Sequence, residues 1–129
     1  MLISAILRDL EESKEYISDR KFVSVYFGGG TPSLTKSKNI EKILLVLTTN
    51  KMLVKDCEIS FEFNPKEDDA SYLADLSNIG INRASIGIQS FDNQSLKSLE
   101  RNHDAAEAFQ AIEIISSIKT IKTSIDLIY

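Results

Sequence analysis

At 129 residues the chain has the size of one domain, and with 43% hydrophobic residues it can bury a core of its own. A net charge of -4, with no run of lysines or arginines, excludes a nucleic-acid backbone or an anionic membrane as the main partner. The single cysteine, Cys57, excludes a disulfide framework or a cysteine-only metal site within one chain and fits a reducing, cytoplasmic setting.

Residues 2–17 carry Leu2, Ile3, Ile6, Leu7, Leu10 and Ile17 at mostly helical spacing, with Arg8, Glu11, Glu12 and Glu15 on the other face. This pattern predicts an amphipathic helix. Charges begin at Arg8 and Asp9, so the apolar start reads as neither a signal peptide nor a membrane span. The run Phe22–Phe27 is almost continuously apolar and predicts a strand covered on both faces, as in a parallel sheet. Gly28, Gly29, Gly30, Thr31 and Pro32 follow at once, and they include three of the five glycines in the chain. Such a loop is either a tight strand-to-helix turn or a cradle of bare backbone for a ligand's polar group.

Ser37 is expected to cap a helix to about residue 50, with Ile40, Ile43, Leu44 and Leu47 as its buried stripe. A strand over 58–63 stops at Asn64-Pro65, because proline has no amide proton for the ladder. Asp68 or Asp69 is expected to cap the next helix, which carries Tyr72, Leu73 and Leu76 and ends near Gly80. Residues 82–89 predict a third strand, and Asp92 or Asn93 a short helical segment through Leu96 and Leu99. Asp104 is expected to cap a longer helix, and residues 123–129 to form a fourth strand. Helices alternating with strands demand crossovers and therefore a parallel sheet, an α/β fold with four strands.

Ligands of parallel α/β folds bind beyond the carboxyl ends of the strands. Those ends carry residues 28–31, Glu62 with Asn64, Gln89 with Ser90, and Asp126. Each has an ordinary alternative: Glu62 facing solvent, Gln89 capping its strand. Asp126 is harder to explain so, since a carboxylate in a covered strand needs a partner. Arg101 reads equally as a solvated charge, His103 as part of a helix cap, and Cys57 as a small buried hydrophobe.

The segments Val25 to Leu34, Glu62-Phe63-Asn64-Pro65, Gly80 to Asp92 and Ser124 to Tyr129 resemble, in order and at compatible spacing, one family. It is the radical S-adenosylmethionine (SAM) family of oxygen-independent coproporphyrinogen III oxidase and its haem-chaperone relatives. Leu96, Leu99, Arg101 and His103 resemble the haem-chaperone branch, while Glu100 stands where many relatives would have glycine and Ala84 where they would have a larger aliphatic residue.

The resemblance implies a segment of a partial TIM-like (βα) barrel with four parallel strands, residues 1–129 forming part of a radical SAM core. It implies that Gly28, Gly29, Gly30 and Thr31 receive the amino group of SAM, that Arg101 pairs with its carboxylate, and that Glu62, Gln89 and Asp126 line the same cleft. Family members hold a [4Fe-4S] cluster on a loop of three cysteines. This chain lacks that loop, so the cluster is not expected to bind here and no residue takes a catalytic or metal-ligating role. The implied partners are SAM, haem or a porphyrinogen, and a haem-accepting protein or a complementary chain. Two other readings stand beside this one. The chain is a cluster-independent haem-binding module using His103, or an unrelated α/β enzyme whose glycine loop binds phosphate.

Overall fold

Four parallel strands form one sheet in the order β1-β2-β3-β4: β1 (Phe22–Phe27), β2 (Leu53–Phe63), β3 (Arg83–Gln89) and β4 (Lys122–Leu127). The computed structural model describes residues 2–17, 19–67 and 70–129. The helices are α1 (Leu2–Glu12), α2 (Lys14–Ile17), α3 (Ser37–Thr49), α4 (Ala70–Asn78), α5 (Asn93–Ser98) and α6 (Ala105–Ser117). Each strand returns beside the last through a helical crossover, the connection that parallel pairing requires.

Alternation along the strands sorts residues onto two faces. Ile59, Phe61 and Phe63 of β2 and Ala84, Ile86 and Ile88 of β3 are buried with Ile40 and Leu44 of α3, Leu73 and Leu76 of α4, and Ala108 and Ile115 of α6. Phe61 is fully buried, with Phe63, Phe27 and Tyr72 rings at centroid distances of 4.9, 5.9 and 6.5 Å. The opposite face is polar: Tyr26, Glu62, Ser85, Gly87, Ser124 and Asp126 share it.

The sheet is therefore covered on one face only, which corrects the expectation for Phe22–Phe27. Tyr26, on the uncovered face, is 58% exposed because helices cover one side alone, and Val23, of opposite parity, is 70% exposed on the edge strand β1. The same applies to β4, where Asp126 is exposed rather than held in a covered strand. The first helix also differs from expectation. It is interrupted at Ser13, although Ser13 N–H still donates to Asp9 O at 2.9 Å, and none of the described residues of α1 is buried; α1 meets α3 and, with β1 and α3, lines a cavity of about 550 Å³.

Strand β2 starts five residues before the expected Glu58. The register shift between Phe22/Leu53 and Ser24/Glu58 absorbs the charged Lys55-Asp56 stretch that breaks the apolar pattern. Ser37 is not the cap of α3: Lys36 holds that position without a side-chain bond, and Ser37 Oγ donates instead to Asp75 Oδ2 on α4. The expected caps Asp68 and Asp69 lie outside the described residues. Gly80 takes φ +108 just beyond α4, a left-handed conformation that glycine adopts without steric cost.

Asp92 caps α5 by accepting from Ser95 N–H at 2.7 Å, and that bond holds its carboxyl below the usual range. Asp104 and Glu107 form a reciprocal capping box on α6, each side chain accepting the other's backbone N–H at 2.9 Å. Asp104→Ala is expected to cost about 1 kcal/mol in urea unfolding, with an unchanged baseline spectrum; a change below about 0.3 kcal/mol would mean the box contributes nothing.

Candidate functional site

The carboxyl ends of β1 to β4 converge on a cleft of about 190 Å³ on the polar face. Glu62, Gln89, Arg101, Asp126 and Gly30 line it, together with Asn64, Ser85 and Gly87. Sites that enclose a whole drug-sized ligand run to about 300–1,000 Å³, so this cleft has room for one end of such a molecule. Gly28, Gly29 and Thr31 instead line the larger apolar cavity beneath α1, which Gly30 also borders.

The elements fix each group in a simple way. Register pairs Glu62 with Ser85 and Ser85 with Ser124, and parity then turns Gly87 and Asp126 to the same side. Ser85 Oγ donates to Asp126 at 3.1 and 3.3 Å to its two carboxylate oxygens. Glu62 Oε1 accepts from Tyr26 Oη at 2.8 Å, and Glu62 Oε2 accepts from Gly29 N–H at 3.0 Å. The hydrogen bond to Glu62, with some burial and the nearby carboxylate charges, raises the Tyr26 pKa above the ordinary tyrosine value, so Tyr26 remains a donor.

Arg101 is half-buried and is not a solvated charge. Its Nη2 donates to Gly87 O at 2.8 Å and Asn64 Oδ1 at 3.2 Å, while its Nε is buried without a hydrogen-bond partner among the described residues. A side chain at Gly87 would crowd this fork, with a Cβ 3.3 Å from Gln89 Nε2 and 3.4 Å from Arg101 Nη2. Two strained residues flank the site: Gln89 at φ +68 and Glu100 at φ +52. The second value gives a physical reason for glycine to suit position 100, since that position is left-handed.

His103 is 5% exposed, its Nε2 lies 3.1 Å from Ile88 O and its Nδ1 is buried without a hydrogen-bond partner among the described residues. It belongs to the packing under β3 and faces no open surface that would admit haem.

The chemistry of the cleft is dipolar. Two carboxylates, Glu62 and Asp126, line it alongside one guanidinium, and Glu62 already takes the Gly29 amide proton. A phosphate at the glycine loop would meet carboxylate instead of free N–H donors, whereas an ammonium would meet acceptors. The Arg101 guanidinium, which lines the cleft, suits a carboxylate. An α-amino acid head group, ammonium at one end and carboxylate at the other, therefore fits these residues, as the methionyl end of SAM requires.

An iron–sulfur cluster does not fit the residues present. Several cysteine thiolates hold such clusters; the chain has one cysteine, Cys57, buried in the core with its thiol pKa pushed up by that burial. Among the described residues, no group of three His, Cys, Asp or Glu side chains is arranged to hold a metal ion, and no helix is long and apolar enough to cross a membrane.

A one-sided parallel α/β sheet with a polar cleft at its strand ends is the architecture of a barrel enzyme core, and the family model described as the radical SAM superfamily matches residues 3–129. The chain belongs to that superfamily. It is 38% identical over 127 residues to the heme chaperone HemW of Buchnera aphidicola from Acyrthosiphon pisum and 33% identical to the heme chaperone HemW of Escherichia coli K12. Each alignment covers 98% of this chain and 34% of the relative, so the chain spans about a third of the length of these curated relatives. Among solved structures it is similar to the coproporphyrinogen III oxidase HemN of Escherichia coli, a radical SAM enzyme. That match has a TM-score of 0.79 and 29% identity, covering 98% of this chain and 30% of that one.

Tyr26, Ser85 and Gly87, on the same face as the cleft, are residues that motif reading did not single out as binding groups. Strand parity carries the signal for all three: Tyr26 opposes Ser60, two residues before Glu62, and Ser85 and Gly87 alternate towards Gln89.

Proposed function

We propose that this chain supplies the SAM-binding wall of a radical SAM core of the kind found in the haem chaperones and coproporphyrinogen oxidase it resembles. The observation that carries the reading is the meeting of Glu62, Gln89, Arg101 and Asp126 in one dipolar cleft beside Gly30. Arg101 takes the methionyl carboxylate through its guanidinium, which lines the cleft. The carbonyls of residues 28–31 and the Glu62 carboxylate receive the ammonium. Gln89 and Asp126 accept the ribose hydroxyls, Asp126 held in place by Ser85. SAM bound there supplies a sulfonium that yields an alkyl radical on reduction. The chain's own share is to bind and orient SAM; with one cysteine, it does not assemble the cluster that would reduce it. The open edges of β1 and β4 suit pairing with a complementary chain. Haem is the second ligand of the complete assembly, and a reducing cytoplasm its setting.

Reconstitution of the 129-residue chain with iron and sulfide is expected to give no cluster absorbance and no 5′-deoxyadenosine from SAM. In parallel, S-adenosylhomocysteine is expected to compete with SAM, and inorganic phosphate or AMP is not. Formation of 5′-deoxyadenosine in proportion to protein would contradict the first expectation. Displacement by phosphate alone would favour a phosphate-binding enzyme instead.

A further inference from the structure

We propose that Tyr26 is a positioning residue for the glycine cradle, acting through Glu62. The glycine loop has little packing of its own: Gly29 at φ +80 and Gly30 at φ +65 have nothing within 4 Å of where a Cβ would stand. Its shape depends on hydrogen bonds, and one of them runs from Gly29 N–H, in the middle of the loop, to Glu62 Oε2 at 3.0 Å. Glu62 has three side-chain torsions and needs a second anchor to hold that oxygen still. Tyr26 Oη supplies it at 2.8 Å on Oε1, from the neighbouring strand β1.

The contact is tight as well as directional. A Cβ at Gly28 would come within 2.5 Å of Tyr26 Cε1 and 2.8 Å of Glu62 Oε1, so ring and carboxylate lie directly against the loop. Tyr26, Glu62 and Gly29 thus form a clasp between two strands and the loop that follows the first. Tyr26 is 58% exposed and contributes little to the core, so its hydroxyl serves the loop more than the fold. The clasp itself follows from these contacts; only its effect on SAM rests on the reading proposed above.

The test compares the ¹⁵N-labelled 129-residue wild type with Tyr26→Phe, using Tyr16→Phe as a control on an exposed tyrosine that packs on Arg20. Amide hydrogen exchange at Gly29 is expected to speed up about tenfold in Tyr26→Phe and stay unchanged in Tyr16→Phe, while the melting temperature of both holds. The dissociation constant for SAM is expected to rise about tenfold in Tyr26→Phe. In a Glu62→Gln background Tyr26→Phe is expected to add much less, because the partner charge is gone. Unchanged Gly29 exchange in Tyr26→Phe overturns the clasp, and faster exchange with unaltered SAM affinity overturns the positioning role. If wild type itself ignores SAM, the binding reading fails, and Gly29 exchange still decides the clasp.

Discussion

Arg101→Ala is expected to weaken SAM binding by about a hundredfold, measured by calorimetric titration of the full chain. Truncating one partner of a buried, hydrogen-bonded charge pair costs about 2–5 kcal/mol, and 1.4 kcal/mol is a factor of ten. Two consequences of the geometry add to the loss of charge. The guanidinium is pre-set by Gly87 O and Asn64 Oδ1, so little ordering is left to do when a carboxylate arrives. The substitution also leaves that backbone carbonyl short of a donor. Arg101→Lys is expected to recover only part of the affinity, since an ammonium cannot span Gly87 O, Asn64 and a ligand with one planar fork. Wild-type affinity in Arg101→Ala would remove Arg101 from the site.

Phe61→Ala is expected to cost about 3–5 kcal/mol in urea unfolding, the largest stability loss of any single truncation considered for this chain. Phe61 is fully buried among three aromatic rings, Phe27 of β1, Phe63 of β2 and Tyr72 of α4. Its removal leaves a cavity that a two-layer sheet, open on the polar side, has few other groups to fill. Domains are stable by about 5–15 kcal/mol in total, so the variant is expected to be partly unfolded at 37 °C. A loss below about 1 kcal/mol would mean that the helix-covered face is not the main core.

The alternation of helix and strand was legible because β1 is an apolar run, β2 ends on alternating Ile59, Phe61 and Phe63, β3 alternates Ala84, Ile86 and Ile88, and the longer helices α1, α3 and α6 carry a 3.6-residue stripe. Local pattern decides those assignments. Coverage of the sheet was not legible: an apolar run such as Phe22–Phe27 reads as buried on both faces, and only tertiary arrangement reveals that Val23 and Tyr26 are exposed. Asp126 was singled out for a burial it does not have, yet it lines the cleft because of its parity with Ser85.

Arg101 and Glu62 were legible as candidates from motif likeness, but their partners were not. The bonds to Gly87 O and from Tyr26 Oη join residues 14 and 36 positions apart in the chain. Cap chemistry was readable where one side chain decides it, as at Asp92 and Asp104. It failed at Ser37, whose hydroxyl is drawn to Asp75 by helix packing.

Titration of SAM into the ¹⁵N-labelled chain tests most directly whether this cleft holds the methionyl end of the cofactor. Saturable shifts are expected at Gly30, Gln89, Arg101 and Asp126, which line the cleft, with Ile40 and Leu76 on the helix-covered side unmoved. Shifts confined to the cavity beneath α1, or none at millimolar SAM, would contradict the assignment.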